Sequence, residues 1–426
     1  MGTQPTSPRA LLIPLLVLAN LIWLVAMAPG AAATETASSR QALDRLHALL
    51  AADKDAPGLP VDDAARTVPL TQPDAAAAQR LLRERQVELI RRRRAAEWRD
   101  KAITLGQWTL RFDSRDFGNA PAGRRSLFIS LHGGGNAAPA VNDQQWRNQV
   151  QLYQPEEGLY VAPRAPTNEW NLWHQEHIDG LFDRLISDAV AMAGVDPNRV
   201  YVMGYSAGGD GVYQLAPRMA DRWAAASMMA GHPNDASPLN LRNIGFALHV
   251  GELDGAYDRN KVGREWGVQL DQLQQADPRG YAHHVEIHPG RGHWMNREDA
   301  SAVPWMAQFT RDPLPARVVW RQDDVAQPRL YWLAAPADQR RPGATIIAAR
   351  DGQTIDIEQA DDVAQVTVML NDDMVNLDRP VTIAYRGRRL FREIAPRTLA
   401  TIQQTLAQRE DPELTFSAAV TVEIPQ

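Results

Sequence analysis

The stretch that most restricts how this chain can fold runs from Arg199 to Tyr213 (Arg-Val-Tyr-Val-Met-Gly-Tyr-Ser-Ala-Gly-Gly-Asp-Gly-Val-Tyr). Val200 to Met203 is a short β-branched and aromatic run that reads as a buried strand. Gly204-Tyr205-Ser206-Ala207-Gly208 follows, and then residues able to start a helix. A serine at such a corner is held in a tight turn with its hydroxyl projecting from the sheet edge. The flanking glycines are required because a Cβ would strike the neighbouring strand or helix. The helix also aims its first amides at the point where negative charge would develop. Taken alone, the five-residue pattern fits a glycine-rich turn with an unreactive serine equally well, so the rest of the chain must decide.

The chain has 426 residues, enough for two or three domains, and a net charge of −6, which offers nothing to a polyanion or nucleic-acid partner. It has no cysteine. That excludes a disulfide framework, a thiolate metal site, a cysteine nucleophile and a lipid-modified N-terminal cysteine. Residues 1–33 read as an export signal. Arg9 supplies the positive start, Ala10 to Met27 is almost wholly apolar, and Ala31-Ala32-Ala33 places cleavage after Ala33. An uncleaved anchor is the competing reading, since the apolar run approaches the spanning length of ~20 residues. Pro14 and Asn20 interrupt that run, and no later stretch could span a membrane. The mature protein is therefore expected to be secreted or periplasmic, with no stable membrane span.

Residues 34–102 form a helical prefix, with helices over Ala42 to Ala52 and Asp74 to Lys101 and with Asp74 as N-cap behind Pro73. The run Arg91 to Arg94 reads as a solvated helix face. From Ile103 the pattern changes to short apolar strands: Ile103 to Phe112, Ser126 to Leu131, Gly158 to Ala162, Val200 to Met203, Ala224 to Met229, Ile244 to Val250 and His283 to Ile287. Helical stretches separate them, most clearly Leu181 to Ala193. This alternation calls for a mostly parallel α/β sheet covered by helices on both faces, with ligands at the carboxyl ends of the strands. The unit spans residues 103–312. Residues 313–426 read as a mainly antiparallel, sandwich-like β domain. Its strands lie over Val318 to Trp320, Leu330 to Leu333, Thr345 to Ala348, Thr354 to Ile357, Gln365 to Leu370, Val381 to Tyr385 and Leu414 to Ile424. Hairpin turns fall at Asp351-Gly352 and Arg386-Gly387, and one helix runs from Thr398 to Gln408.

Acyl transfer by a serine needs a base, a carboxylate to orient it and two oxyanion donors, and each has a candidate after a strand. Strand Ser126 to Leu131 runs into His132-Gly133-Gly134-Gly135-Asn136, where an amide of Gly133 or Gly134 would pair with that of Ala207. A phosphate loop is the weaker reading, since the Lys-Ser/Thr ending is missing. Strand Ile244 to Val250 ends in Gly251-Glu252-Leu253-Asp254, giving Asp254 as the acid, with Asp258 and Glu252 in reserve. His293, in the glycine-flanked loop after strand His283 to Ile287, is the base. His283, His284 and His288 sit in or beside that strand as decoys, while His132, His174 and His232 fall near the site without a role.

The order Ser206, Asp254, His293 with an upstream His-Gly-Gly-Gly loop resembles the α/β-hydrolase superfamily across residues 103–312. Within it the chain looks most like secreted bacterial esterases of the polyhydroxybutyrate-depolymerase and feruloyl-esterase-like group, with dienelactone hydrolases and prolyl-oligopeptidase catalytic domains as relatives. The resemblance implies Ser206 as nucleophile, His293 as general acid and base, Asp254 as its partner, Gly134 and Ala207 at the oxyanion, and neither a metal nor an organic cofactor. Two features depart from it: no propeller precedes the unit, and the disulfides typical of such depolymerases cannot form.

Trp170 and Trp173, in the loop after the strand ending at Ala162, and Tyr205 beside the serine are the candidate substrate-binding residues; packing onto the core is the bland alternative for the tryptophans. Asp210 reads as a first-turn acid of the helix after Ser206, or as a contact for a cationic substrate. Asn371-Asp372-Asp373 lacks calcium-loop spacing and reads as a turn. A small-molecule or polymeric ester is the expected substrate. A serine peptidase with the same triad, or a non-catalytic binding protein on a hydrolase scaffold, is the alternative.

Overall fold

The computed structural model describes residues 29–425 together with the first two. Residues 3–28 of the segment read as an export signal therefore lie outside the described residues. Among the described residues no helix is long and apolar enough to cross a membrane.

Two helices come first, α1 (Pro29–Ala52) and α2 (Gln72–Asp100). The cap of α2 is Thr71 rather than Asp74: its hydroxyl accepts the Asp74 amide at 3.4 Å, and Pro73 occupies the first turn. Proline is tolerated only where its missing N–H would have had no partner, so the helix must begin before it. Asp74 is instead buried, accepting from Ser39 Oγ at 2.6 Å and pairing with Arg40 at 2.9 Å. The arginine run is not uniformly solvated either. Arg92 and Arg93 reach the exposed 54–55 turn, but Arg91 donates to the Ala191 carbonyl at 2.7 Å, and Arg94 bridges Asp188 (3.2 Å) and Glu410 (2.7 Å). Those two arginines are diverted because α2 lies against the helix His177–Ala193 of the sheet unit.

The central sheet contains β1 (Ala102–Leu105), β2 (Trp108–Phe117), β3 (Arg125–Leu131), β4 (Gly158–Arg164), β5 (Val195–Tyr205), β6 (Ala225–Met229), β7 (Gly245–Gly251) and β8 (His283–His288). Between them run α3 (Pro139–Leu152), α4 (His177–Ala193), α5 (Ala207–Arg218) and α6 (Arg259–Ala276), with α7 (Ala302–Met306) after β8. Strand order is β1-β2-β4-β3-β5-β6-β7-β8. Every pair from β4 to β8 along that order is parallel, while β1 and β2 run antiparallel at one edge. The expected single strand from Ile103 to Phe112 is a hairpin, because Gly106 takes a left-handed φ of 58° and turns the chain back.

Alternation along the strands produces two buried layers. Leu127, Ile129, Val200, Val202, Phe246 and Leu248 face α4, α5 and α6; Phe128, Tyr201, Met203 and Ala247 face α3 and α7. The first layer continues without a break into the C-terminal strands. These are β9 (Arg317–Arg321), β10 (Arg329–Leu330), β11 (Leu333–Ala334), β12 (Thr345–Asp351), β13 (Thr354–Asp361), β14 (Gln365–Leu370), β15 (Val381–Tyr385), β16 (Arg388–Glu393) and β17 (Ala418–Glu423), with α8 (Leu399–Arg409) before the last.

They form two sheets, β10-β11-β14-β17 and β16-β15-β13-β12-β9, antiparallel apart from the β13–β15 pair. Leu330 to Leu333, expected as one strand, is split by a turn at Tyr331-Trp332, both fully buried. The last strand begins at Ala418, not Leu414, since Pro412–Leu414 is a 3-10 turn. Asn371 and Asp372 do turn chemistry: Asn371 Oδ1 accepts the Met374 amide at 3.1 Å, and Asp372 pairs with Arg397. The prefix rests on both later parts of the chain. Leu43, Leu46 and Leu82 share a core with Leu399, Ile402 and Leu406 of α8, while α2 lies along α4.

Candidate active site

β5 ends at Tyr205 and α5 begins at Ala207, so Ser206 occupies the corner alone. Its backbone takes φ 60° and ψ −123°, a sparsely populated conformation for a residue with a side chain. The strain is held by close packing. A Cβ on Gly204 would sit 2.2 Å from the Gly208 carbonyl oxygen, and one on Gly208 would sit 2.2 Å from that of Leu131. Ser206 N–H donates to Met229 O at 2.9 Å, tying the corner to β6.

Three loops from distant points in the chain converge here. His293 Nε2 lies 2.9 Å from Ser206 Oγ, and His293 Nδ1 lies 2.8 Å from Asp254 Oδ2. Asp254 is almost fully buried, whereas the imidazole side chain is 43% exposed, leaving the serine end of the chain open to a ligand. Neighbouring groups fix the histidine loop. Glu252 accepts the Gly290 amide at 2.9 Å, and Leu253 N–H donates to Arg291 O at 2.7 Å. Glu252 is thus a loop clamp, and Asp258, left-handed at φ 55°, sits at the start of α6; neither touches the imidazole. Tyr205 proves to be a clamp as well. Its hydroxyl donates to His293 O and accepts the Met295 amide at 3.1 Å, and the residue is only 8% exposed, so it does not line the cleft.

The glycine loop lies against the serine. A Cβ on Gly133 would come within 3.0 Å of Ser206 Cβ, and Gly134 adopts φ 106°. The Gly135 amide is already given to Asn142 Oδ1 at 2.9 Å. Gly134 and Ala207 border the same cleft as Ser206, and Ala207 is the first residue of α5, where an amide has no intrahelical acceptor. His132 shapes this loop from inside: its Nδ1–H donates to Gly133 O at 2.6 Å, and its Nε2 accepts the Ala165 amide at 3.1 Å. Burial drives its pKa down to about 4, so the ring is neutral and can play both parts.

The two tryptophans divide. Trp170 is 57% exposed and borders the cleft. Trp173 is fully buried and donates its indole N–H to His132 O at 2.9 Å, so it packs the loop onto the core and does not face a ligand. Neighbours in sequence point in opposite directions here because one side of the loop lies on α5, where Gly211 makes room for the Trp173 ring. Asp210 accepts the His232 amide at 2.6 Å. Burial raises its pKa, although that amide and Arg259 pull the other way. His174 is pushed down to about 4 by burial and packs edge-on to Trp170.

The cleft has a volume of about 330 Å³, within the range of small-ligand sites. Asn136, Asn234, Tyr257 and Arg259 also line it, and none was singled out from the sequence. Tyr257 and Arg259 follow Asp254 by three and five residues, so their place in the acid-bearing loop was the available signal. A larger cleft of about 620 Å³, lined by Trp108, His177, Gln327 and Arg409, contains none of the residues above. Among the described residues, the grouping with metal-ligand spacing is His249, His284 and Glu286, on β7 and β8, away from the cleft lining.

No protein-family model matches the chain, and no curated protein does. Solved structures similar to part of it include a thermostable esterase (18% identity, 49% of this chain, TM-score 0.39), esterase 2 of Thermogutta terrifontis (15%, 48% of this chain and 89% of that one, TM-score 0.35) and a ferulic acid esterase (17%, 43% and 84%, TM-score 0.31). The match spans 62% of the thermostable esterase's own length. Overlaps this partial add nothing to the strand order and the strained elbow, which already specify the architecture. The chain has the α/β-hydrolase fold, preceded by a helical segment and followed by two further β-sheets.

Proposed function

We propose that this protein is an exported serine hydrolase that cleaves carboxylic esters through an acyl-enzyme, with residues 103–312 as its catalytic unit. The observation that carries the proposal is the unbroken hydrogen-bond chain from Ser206 through His293 to the buried Asp254. A serine hydroxyl is a poor nucleophile until its proton has somewhere to go. His293 Nε2 takes that proton as Oγ bonds to the ester carbonyl carbon, and Asp254 stabilises the imidazolium and holds its tautomer. The N–H groups of Gly134 and Ala207 receive the oxyanion, a contribution of about 3–4 kcal/mol. His293 then returns the proton to the departing alcohol. Water repeats the sequence to release the acid and free the serine.

Trp170 supplies an apolar wall, and Asp210, Asn234 and Arg259 add polar contacts around it. That mixture suits a small ester, or the chain end of a polymeric one, with a polar substituent. Export rests on residues 1–33, and intact mass of the secreted protein checks cleavage after Ala33. The catalytic test uses the purified mature chain. A fluorophosphonate should label Ser206, and short p-nitrophenyl esters should be hydrolysed in preference to matched anilides. Absence of labelling removes the proposal; faster cleavage of amides than of esters makes the protein a peptidase on the same triad.

A further inference from the structure

We propose that His249, His284 and Glu286, with His288 beside them, form a binding site for a divalent transition-metal ion of the zinc type. β7 and β8 are parallel neighbours, and their register sets His249 opposite Glu286, Ala247 opposite His284 and Gly251 opposite His288. Side chains alternate along a strand, so His284, Glu286 and His288 project from the same face of β8. His249 meets them there, on the side covered by α7.

Three of the donor pairs already stand close to the spacing a metal needs. Tetrahedral zinc with bonds of about 2.0–2.1 Å keeps its ligand atoms roughly 3.3 Å apart. Here His249 Nδ1 lies 3.2 Å from His288 Nε2 and 3.6 Å from Glu286 Oε2, and Glu286 Oε2 lies 3.5 Å from His284 Nε2. The His249, His284 and Glu286 donors all fall within 4.8 Å of one another. His249 is wholly buried, and its Nε2 has no hydrogen-bond partner. Its other nitrogen, Nδ1, faces both the His288 ring and the Glu286 carboxylate, which makes Nδ1 the donor available to an ion. The side chains of His284 and Glu286 are 44% and 42% exposed, which gives an ion a way in and the ligands freedom to close around it.

Behind His288, the Glu298 carboxylate stands 3.5 Å from Nδ1, the outer partner that ligating histidines commonly have. Three imidazoles and one carboxylate favour zinc, nickel or copper over calcium or magnesium, which prefer all-oxygen shells. The loops leaving these two strands carry Asp254 and His293, so a bound ion would staple the strands on which both depend. The site is independent of whether the chain hydrolyses esters.

The test uses the full mature chain, stripped with EDTA, dialysed and titrated with Zn²⁺ by calorimetry and in thermal melts. One equivalent should bind and raise Tm. His284→Ala and Glu286→Gln, both half-exposed, should keep the metal-free Tm of the wild type yet lose more affinity than the roughly 10–100-fold that goes with a mere outer partner. With Co²⁺ as probe, the visible absorption of the four-coordinate ion should appear in the wild type and vanish in both variants. A wild type that binds no Zn²⁺, or variants that bind it as tightly, overturns the site. So does binding that survives His284→Ala but disappears in His293→Ala, which would place the ion on the other histidine.

Discussion

The protein contains two networks built around buried aspartates, with opposite accessibility. At the elbow, Asp254 is buried but its partner His293 opens onto a cleft beside Ser206. At the junction between the central sheet and the C-terminal strands, Asp411 accepts from Arg311 at 2.7 Å and Arg222 at 2.9 Å, and Asp221 accepts from Arg409 at 2.7 Å, with every member sealed from solvent. Burial alone would raise the Asp411 carboxyl, but Arg311 and Arg222 outweigh it and hold it well below the usual carboxylate range. In the sealed network each carboxylate has cations on its doorstep and no space for another molecule. In the open one the chain of bonds ends on a hydroxyl that can leave it. Under the proposed function, what separates the structural cluster from the reactive one is a vacant side and a transferable proton, not the presence of charge.

That contrast can be broken in order of expected effect. Ser206→Ala should lower ester turnover by on the order of 10⁶-fold while leaving Tm nearly unchanged, read by p-nitrophenyl ester kinetics and calorimetry. Asp254→Asn keeps the shape but offers the wrong tautomer, and should cost about 10⁴-fold in kcat. Either variant unfolding the protein would mean that the elbow is a stability element like the junction.

At the junction the roles reverse. Asp411→Asn leaves two buried guanidiniums short of a counter-charge and should cost about 3–5 kcal/mol in denaturant unfolding, with kcat per folded molecule intact. Its pH signature has a definite sign. Because the folded Asp411 pKa lies below the unfolded value of about 3.9, its contribution is complete above that value and drains away as pH falls further. The stability gap between wild type and Asp411→Asn should therefore be constant near neutrality and shrink below about pH 4. A gap that widens on acidification would contradict the assignment. The smallest effect concerns the cleft wall: Trp170→Ala should raise KM about tenfold, or about 1.4 kcal/mol of binding, with Tm unchanged. Trp173→Ala should instead lower Tm through the cavity it leaves.

The sheet unit was legible because its signals are local. β3, β4, β6 and β7 are short apolar runs bounded by turn residues, and the elbow is written in five consecutive positions. Ser206, Asp254 and His293, the proposed catalytic residues, were legible as candidates because strand ends are where such sheets present side chains; the structure brings the three within hydrogen-bond reach. Other features are not encoded locally. Trp170 and Trp173 share one loop, and only the packing of α5 decides that one faces solvent and the other the core. His249 lies within the apolar run Phe246 to Val250 and reads as core until strand register sets Glu286 beside it. Arg94 looks like a solvated residue until α2 is laid along α4.

By itself, then, the sequence determined periodicity, turn chemistry and chain order, since these follow from backbone preferences and the burial of alternate side chains. Only the tertiary structure decided which way the polar groups face. A charged or aromatic side chain takes its role from the neighbours that desolvate or bond it, and those neighbours are supplied by segments up to hundreds of residues away, as Glu410 is for Arg94.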